Sequence, residues 1–162
     1  MIFPLKNYKH KLPTYIDQGG FGYIRKHDIH TGIDLYCSEN DEVYAMEDGV
    51  IVNVEKFTGE WAGSPWWNNT EAILIEGKSG MILYGEIEVS DEIRYSKNVF
   101  KGDLLGKVNT VLKKDKGIYS PNMLHLEFYK KGTKESVWWL LNEQRPNNLL
   151  DISMLLRVYF EN

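Results

Sequence analysis

The chain has 162 residues, a length that suits one domain around one core. Its composition, 43% hydrophobic and 26% charged, is that of a globular protein and excludes a disordered or fibrous one. The formal net charge of −4 excludes a general nucleic-acid surface, and the one local basic cluster, KKDK at 113–116, reads as a solvated loop.

Cys37 is the single cysteine, so no intrachain disulfide can form, which fits a reducing compartment. The opening MIFPLKNYKHKLP holds no apolar run long enough for a signal peptide, and no stretch is long enough to span a bilayer. The expectation is a cytoplasmic protein without membrane contact.

Residues 1–29 are rich in Gly, Pro, Lys and aromatics without a period, and read as a wrapping N-terminal segment. From residue 30 the pattern turns to strands. GIDLYC is short and apolar. DEVYAMEDGVIVNVEKF predicts two strands around a turn at Glu47-Asp48-Gly49, with Val50, Val52 and Val54 alternating onto one face. EAILIEG and GMILYGEIEV predict a hairpin across residues 77–80. A turn at Lys101-Gly102-Asp103 leads into another strand, and MLHLEFY predicts the last. The tail changes character: KESVWWLLNEQ, 134–144, predicts a short helix, and NNLLDISMLLRVYF a second helical or irregular piece. Many short strands divided by turn residues indicate a mainly β fold, an antiparallel sheet or sandwich, with a C-terminal helical cap over 133–162.

His30 and Asp34 stand four residues apart, in a stretch whose Gly32 argues for a loop that leads into a strand. His125 lies mid-strand, on the face that also carries Met123 and Glu127. Two histidines and one carboxylate plus a water make the ligand set of a catalytic zinc site with one open position. On spacing alone, a chance H-x-x-x-D and a packed strand histidine account for the same residues.

The surrounding residues add to this. FGYIRKHDIHTGIDLYCSENDEVYAMEDGVIV resembles the lysostaphin/LytM-type zinc endopeptidases. Their signature is Phe-Gly with an arginine soon after, then H-x-G-x-D, then a PVYA…DGVV hairpin. Here these stand as Phe21-Gly22 with Arg25, His30-Thr31-Gly32-Ile33-Asp34, and Val43-Tyr44-Ala45 followed by Asp48-Gly49-Val50. VFKGDLLGKV resembles the family's VKKGQxIGxV turn, so the resemblance runs in order over roughly residues 19–132. It implies the family's LytM-like β fold, of the duplicated-hybrid-motif type, as a single domain over 1–162. It also implies one zinc ion on His30, Asp34 and the second histidine of an H-x-H.

The sequence departs from the family at two places. The family reads H-L-H-F-E-x-x-x-x-G. Anchoring on Glu127 and Gly132 matches His125 to the ligand histidine and puts Met123 where the general acid/base stands. A second register would make His125 catalytic and Glu127 a ligand, but it breaks the spacing to Gly132. The family's other catalytic histidine lies in a Y-x-H-L strand, and Tyr84-Gly85-Glu86-Ile87 puts Glu86 in its place.

A metal acidifies water, but amide hydrolysis also needs a base and an acid. Methionine is neither; a glutamate can serve as both. Glu86 is therefore the candidate catalytic base by position and Glu127 the second, with a second role for Glu127 in orienting His125. Trp61, Trp66 and Trp67, in the Gly/Pro-containing loop 58–72, suit either a recognition lid for peptide or sugar or a small core over the sheet. Tyr84 and Tyr119 are further candidates, as phenol donors to an oxyanion. Trp138 and Trp139 are expected in the core, and His10 and His27 on the surface.

The leading expectation is a zinc-dependent peptidase-like hydrolase acting on a peptide amide, with peptidoglycan as the substrate the resemblance implies. Its setting would be the cytoplasm or phage-driven lysis. The alternatives are a catalytically inactive zinc-binding module that holds a peptide or glycan, and a protein in which zinc only staples loops. The sequence does not give an oligomeric state.

Overall fold

A computed structural model of the chain describes residues 1–63, 65–114, 117 and 120–161. Tyr119 and the last two residues of KKDK lie outside the described residues.

The β pattern from residue 30 onward becomes one antiparallel sheet. Its strands are β1 (Ile33–Tyr36), β2 (Glu42–Tyr44), β3 (Gly49–Lys56), β4 (Glu71–Gly77), β5 (Met81–Val89), β6 (Asn98–Val99), β7 (Leu104–Val108), β8 (Met123–Tyr129) and β9 (Leu149–Leu150). The strand order is β1-β8-β5-β4-β3-β6; β7 pairs with β2 and with the far half of β5, and β9 pairs with β8. The helices are α1 (Asp91–Arg94) and α2 (Ile152–Phe160). No helix among the described residues is long and apolar enough to cross a membrane.

Alternation along the strands gives the sheet two unlike faces. One carries the main core: Ile33 and Leu35 of β1, Leu124 and Leu126 of β8, Ile82 and Tyr84 of β5, and Ile73 and Ile75 of β4. Ile152 and Leu156 of α2 cover it, helped by Leu5 and Leu12 of the N-terminal segment. That segment is tied down by backbone bonds, from Ile2 to Met46 and from Tyr44 to Pro4. The other face carries a smaller cluster of Ala72, Leu74, Met81, Leu83, Tyr129 and Leu149.

Three β-bulges interrupt the pairing, one between β2 and β7 at Val43–Tyr44 and two that bear on these faces. In β3 the register slips between Ile51 and Asn53. Val50 and Val52 therefore face solvent while Val54 packs against the core, so the three valines do not share a face as their spacing predicts. In β5, Ala72 pairs with Gly85 and Glu71 with Ile87, which leaves Glu86 as the extra residue.

The helix expected over 134–144 does not form. Residues 134–140 run as an irregular strap over the smaller cluster, with Val137 and Trp139 packed into it and Trp138 between them turned outward, 69% exposed. Packing Val137 and Trp139 is worth about 1–3 kcal/mol each, whereas helix propensities differ by only a few tenths of a kcal/mol per residue. The strap's backbone is satisfied from elsewhere: the Val137 N–H donates to the Tyr129 hydroxyl at 3.2 Å, and the Trp139 carbonyl accepts from the Ile29 N–H at 2.8 Å. Of the two tryptophans expected in the core, then, only Trp139 packs there.

Candidate metal centre and active site

The register of β1 on β8 sets Asp34 directly opposite His125. Their neighbours Ile33, Leu35, Leu124 and Leu126 point into the main core, so the polar pair shares the opposite face. His30 arrives from the loop before β1, and that loop lies close against β8. A Cβ on Gly32 would stand 2.1 Å from the Leu126 carbonyl oxygen and 2.9 Å from His125 Nε2, so only glycine permits the approach.

All three side chains are buried, and their ligand atoms lie within 4.8 Å of one another. His125 Nδ1 is 2.8 Å from Asp34 Oδ1, His30 Nε2 is 3.2 Å from the same oxygen, and the two ring nitrogens are 3.2 Å apart. The remaining polar atoms are turned outward and already engaged. His30 Nδ1 lies 2.9 Å from the Gly20 carbonyl, which can only accept, so Nδ1 carries a proton and Nε2 is the nitrogen that faces inward. His125 Nε2 donates to Glu127 Oε1 at 3.0 Å, which turns Nδ1 inward toward Asp34, where a cation would displace its proton. Arg25 donates to Asp34 Oδ2 at 3.0 Å, which leaves Oδ1 inward. Borderline nitrogen and oxygen donors, each oriented by an outer partner, are what a zinc-type ion requires.

Burial would raise the Asp34 carboxyl, but the His30 charge and hydrogen bonds from both histidines outweigh it and hold the group well below the usual carboxylate range. Burial opposes a charge on His125, yet hydrogen bonds to Asp34 and Glu127 raise it to about 10. The metal-free cluster thus holds a proton where a cation would sit.

Glu127 has both oxygens occupied. Besides His125 it accepts from the hydroxyls of Thr31 and Tyr129. These bonds outweigh its burial and keep it ionised. Glu86 is the reverse case. It is 8% exposed and lines the same cleft as His30 and His125, with φ at 62°. Its Oε2 has no hydrogen-bond partner among the described residues. Burial, then the Asp34 charge, push its carboxyl up to about 8. The bulge in β5 explains the placement. Without it, position 86 would share the core face with Ile82 and Tyr84; the extra residue turns Glu86 toward the cleft and returns Ile87 to the core.

The cleft is walled by aromatics. Phe57 lies over His125 at 5.2 Å between ring centroids, a contact Gly85 permits, since a Cβ there would meet the Phe57 ring at 2.6 Å. Trp61 and Trp67 enter from the loop after β3, Trp138 and Trp139 from the strap, and Arg25, Asp28 and Lys56 add charge at the edges. A buried bond between the Thr58 and Thr70 hydroxyls, 2.6 Å, closes the base of the tryptophan loop.

Two of the substrate-binding candidates fall outside the cleft lining. Trp66 is exposed, and its carbonyl is tied to the Lys113 N–H. Tyr84 is 1% exposed in the main core, where its hydroxyl accepts from the Met46 N–H. As an inward residue of β5 it cannot also face the cleft, so it is no oxyanion donor. Sequence reasoning missed Trp138 and Trp139 as cleft residues, because a helical reading of 134–144 buries both.

Fold and donor set are of the kind that the lysostaphin/LytM-type family carries. Residues 28–136 match the model of peptidase family M23, and the chain belongs to that family. Among solved structures it is similar to lysostaphin in solution, at TM-score 0.51 and 17% identity over 80% of this chain and 44% of that one. It is also similar to a zinc-containing peptidase from Vibrio cholerae, at TM-score 0.50 and 22% identity over 77% of this chain and 35% of that one. At these identities the likeness is one of fold, and the chain spans less than half the length of either protein. No curated protein matches the sequence.

Proposed function

We propose that the chain is a zinc-dependent peptidase-like hydrolase that cleaves a peptide amide, with a peptidoglycan cross-link as the substrate class its family suggests. One zinc would be held by His30, Asp34 and His125, within a single domain spanning 1–162. The observation that carries this is the convergence of three inward donor atoms whose outward atoms are all engaged. A zinc ion held there supplies Lewis acidity, polarising the scissile carbonyl and acidifying a water molecule. Glu86 takes the proton of the attacking water and returns it to the leaving nitrogen, the two proton transfers an amide requires. Its unpartnered oxygen and raised pKa suit a group that holds a proton near neutral pH. Glu127 holds His125 and is already saturated, so it is not the base. Trp61, Trp67 and Trp138 present flat apolar faces to the substrate.

A second reading rests on Met123, which by strand alternation shares the face of His125 and offers no proton. In that reading the cleft binds a peptide or glycan without cutting it. Glu86→Gln separates the two. The hydrolase reading expects turnover of a cross-linked peptide substrate to fall about 10²–10⁴-fold while zinc content and Trp fluorescence on ligand binding stay as in wild type. Binding by wild type with no turnover at any pH would favour the second.

A further inference from the structure

A hydrogen-bond chain leaves the metal cluster and ends in the cleft wall. His125 Nε2 donates to Glu127 at 3.0 Å. The Tyr129 hydroxyl donates to the other Glu127 oxygen. That hydroxyl in turn accepts from the Val137 N–H at 3.2 Å, so its donor and acceptor are both used. Val137 belongs to the strap and is followed directly by Trp138 and Trp139, which line the cleft with it. Tyr129 is fully buried, so water cannot readily take over either bond.

We propose that Tyr129 is a positioning residue that couples occupation of the metal site to the placement of the strap, and so to the tryptophan wall that meets substrate. The proposal rests on the metal site assigned above. A cation on His125 Nδ1 fixes the imidazole ring. The ring fixes Glu127, Glu127 fixes the Tyr129 hydroxyl, and the hydroxyl holds the strap at Val137. The strap has other ties: Asn53 Nδ2 donates to the Lys134 carbonyl at 3.3 Å, and the Ile29 N–H, one residue before His30, donates to the Trp139 carbonyl at 2.8 Å. The path from His125 to the Val137 amide runs through the Tyr129 hydroxyl. By linkage it is reciprocal: a strap held in place by substrate raises metal affinity by the same factor.

The test is amide hydrogen exchange at Val137 with and without zinc, on the full chain, beside zinc affinity from competition with a chromophoric chelator. Wild type is expected to show severalfold slower exchange at Val137 on zinc loading. The Lys101 amide, bonded to Asp48 on the far side of the sheet, serves as the reference and is expected not to change. In Tyr129→Phe the zinc effect on Val137 is expected to vanish, with zinc affinity down about tenfold. Thr31→Val removes a different donor to Glu127, so it is expected to weaken zinc while the effect on Val137 persists. If Tyr129→Phe does not fold, wild type and Thr31→Val alone decide. Zinc uptake with no change at Val137, or equal zinc affinity in wild type and Tyr129→Phe, overturns the coupling and leaves the metal site standing. No zinc uptake by wild type overturns both.

Discussion

Glu86 concentrates three unfavourable conditions in one residue: a left-handed backbone without glycine, near-complete burial, and an oxygen with no partner. Left-handed φ and an unpaired buried polar group each cost about 1–3 kcal/mol, so a residue kept there for folding alone would be glycine. Glu86→Gly is therefore expected to stabilise the metal-free chain by ~1–2 kcal/mol in urea unfolding near neutral pH, and to abolish turnover. A destabilised Glu86→Gly would show that the glutamate holds the fold together. The place of Glu86 was legible in the sequence, because Tyr84-Gly85-Glu86-Ile87 stands where the family has a histidine strand. Its backbone was not, since a bulge depends on how β4 pairs with β5. The same limit applies to Tyr84: a one-residue shift of phase decides core against cleft, and residue type does not reveal it. The three cluster residues were legible because His30, Asp34 and His125 sit in short motifs at a fixed register to Gly32, Glu127 and Gly132.

At the scale of elements, β1 and the loop before it do most of the positioning. Gly32 lets the loop touch β8, and the pairing of Asp34 with His125 does the rest. Gly32→Ala places a methyl group against backbone that cannot yield. It is expected to cost about 2–4 kcal/mol of stability by thermal unfolding and to weaken zinc binding at the same time. A loss of stability with unchanged zinc affinity would mean that the approach of the loop is not what assembles the site. Apart from β6 and the phase of β3, the strands of 33–129 could be read from alternation and turn residues, and MLHLEFY is β8 to the residue. The strap could not. Its residues have adequate helix propensity, and the packing of Val137 and Trp139 with bonds from Tyr129, Ile29 and Asn53 makes the extended form the better one. The helix α2 falls within NNLLDISMLLRVYF, which in sequence reads as helical or irregular; Asp151 caps it by accepting from the Ser153 N–H.

For the whole molecule, the cluster sets how stability depends on pH. The His125 pKa is raised from 6.5 to about 10, so its contribution is complete below 6.5 and is lost as pH rises through 10. The Glu86 carboxyl is raised from 4.5 to about 8, so ionising it costs stability over that interval as well. Asp34 and Glu127 are lowered, and their contribution is lost only as pH falls into the acid range. The metal-free chain is thus expected to be most stable in mildly acid solution and to weaken steadily toward alkaline pH. Zinc replaces the proton on the cluster, so the rise in Tm on adding zinc is expected to be larger near pH ~8.5 than near pH ~6. A zinc effect that shrinks as pH rises would place the metal on other groups.

The central claim is that His30, Asp34 and His125 hold one zinc ion. Elemental mass spectrometry on the purified chain after zinc loading and desalting tests it most directly, with His125→Ala measured in parallel. The account predicts one zinc per wild-type chain and none in the variant. A wild type free of zinc after loading, or a variant that keeps it, would contradict the account.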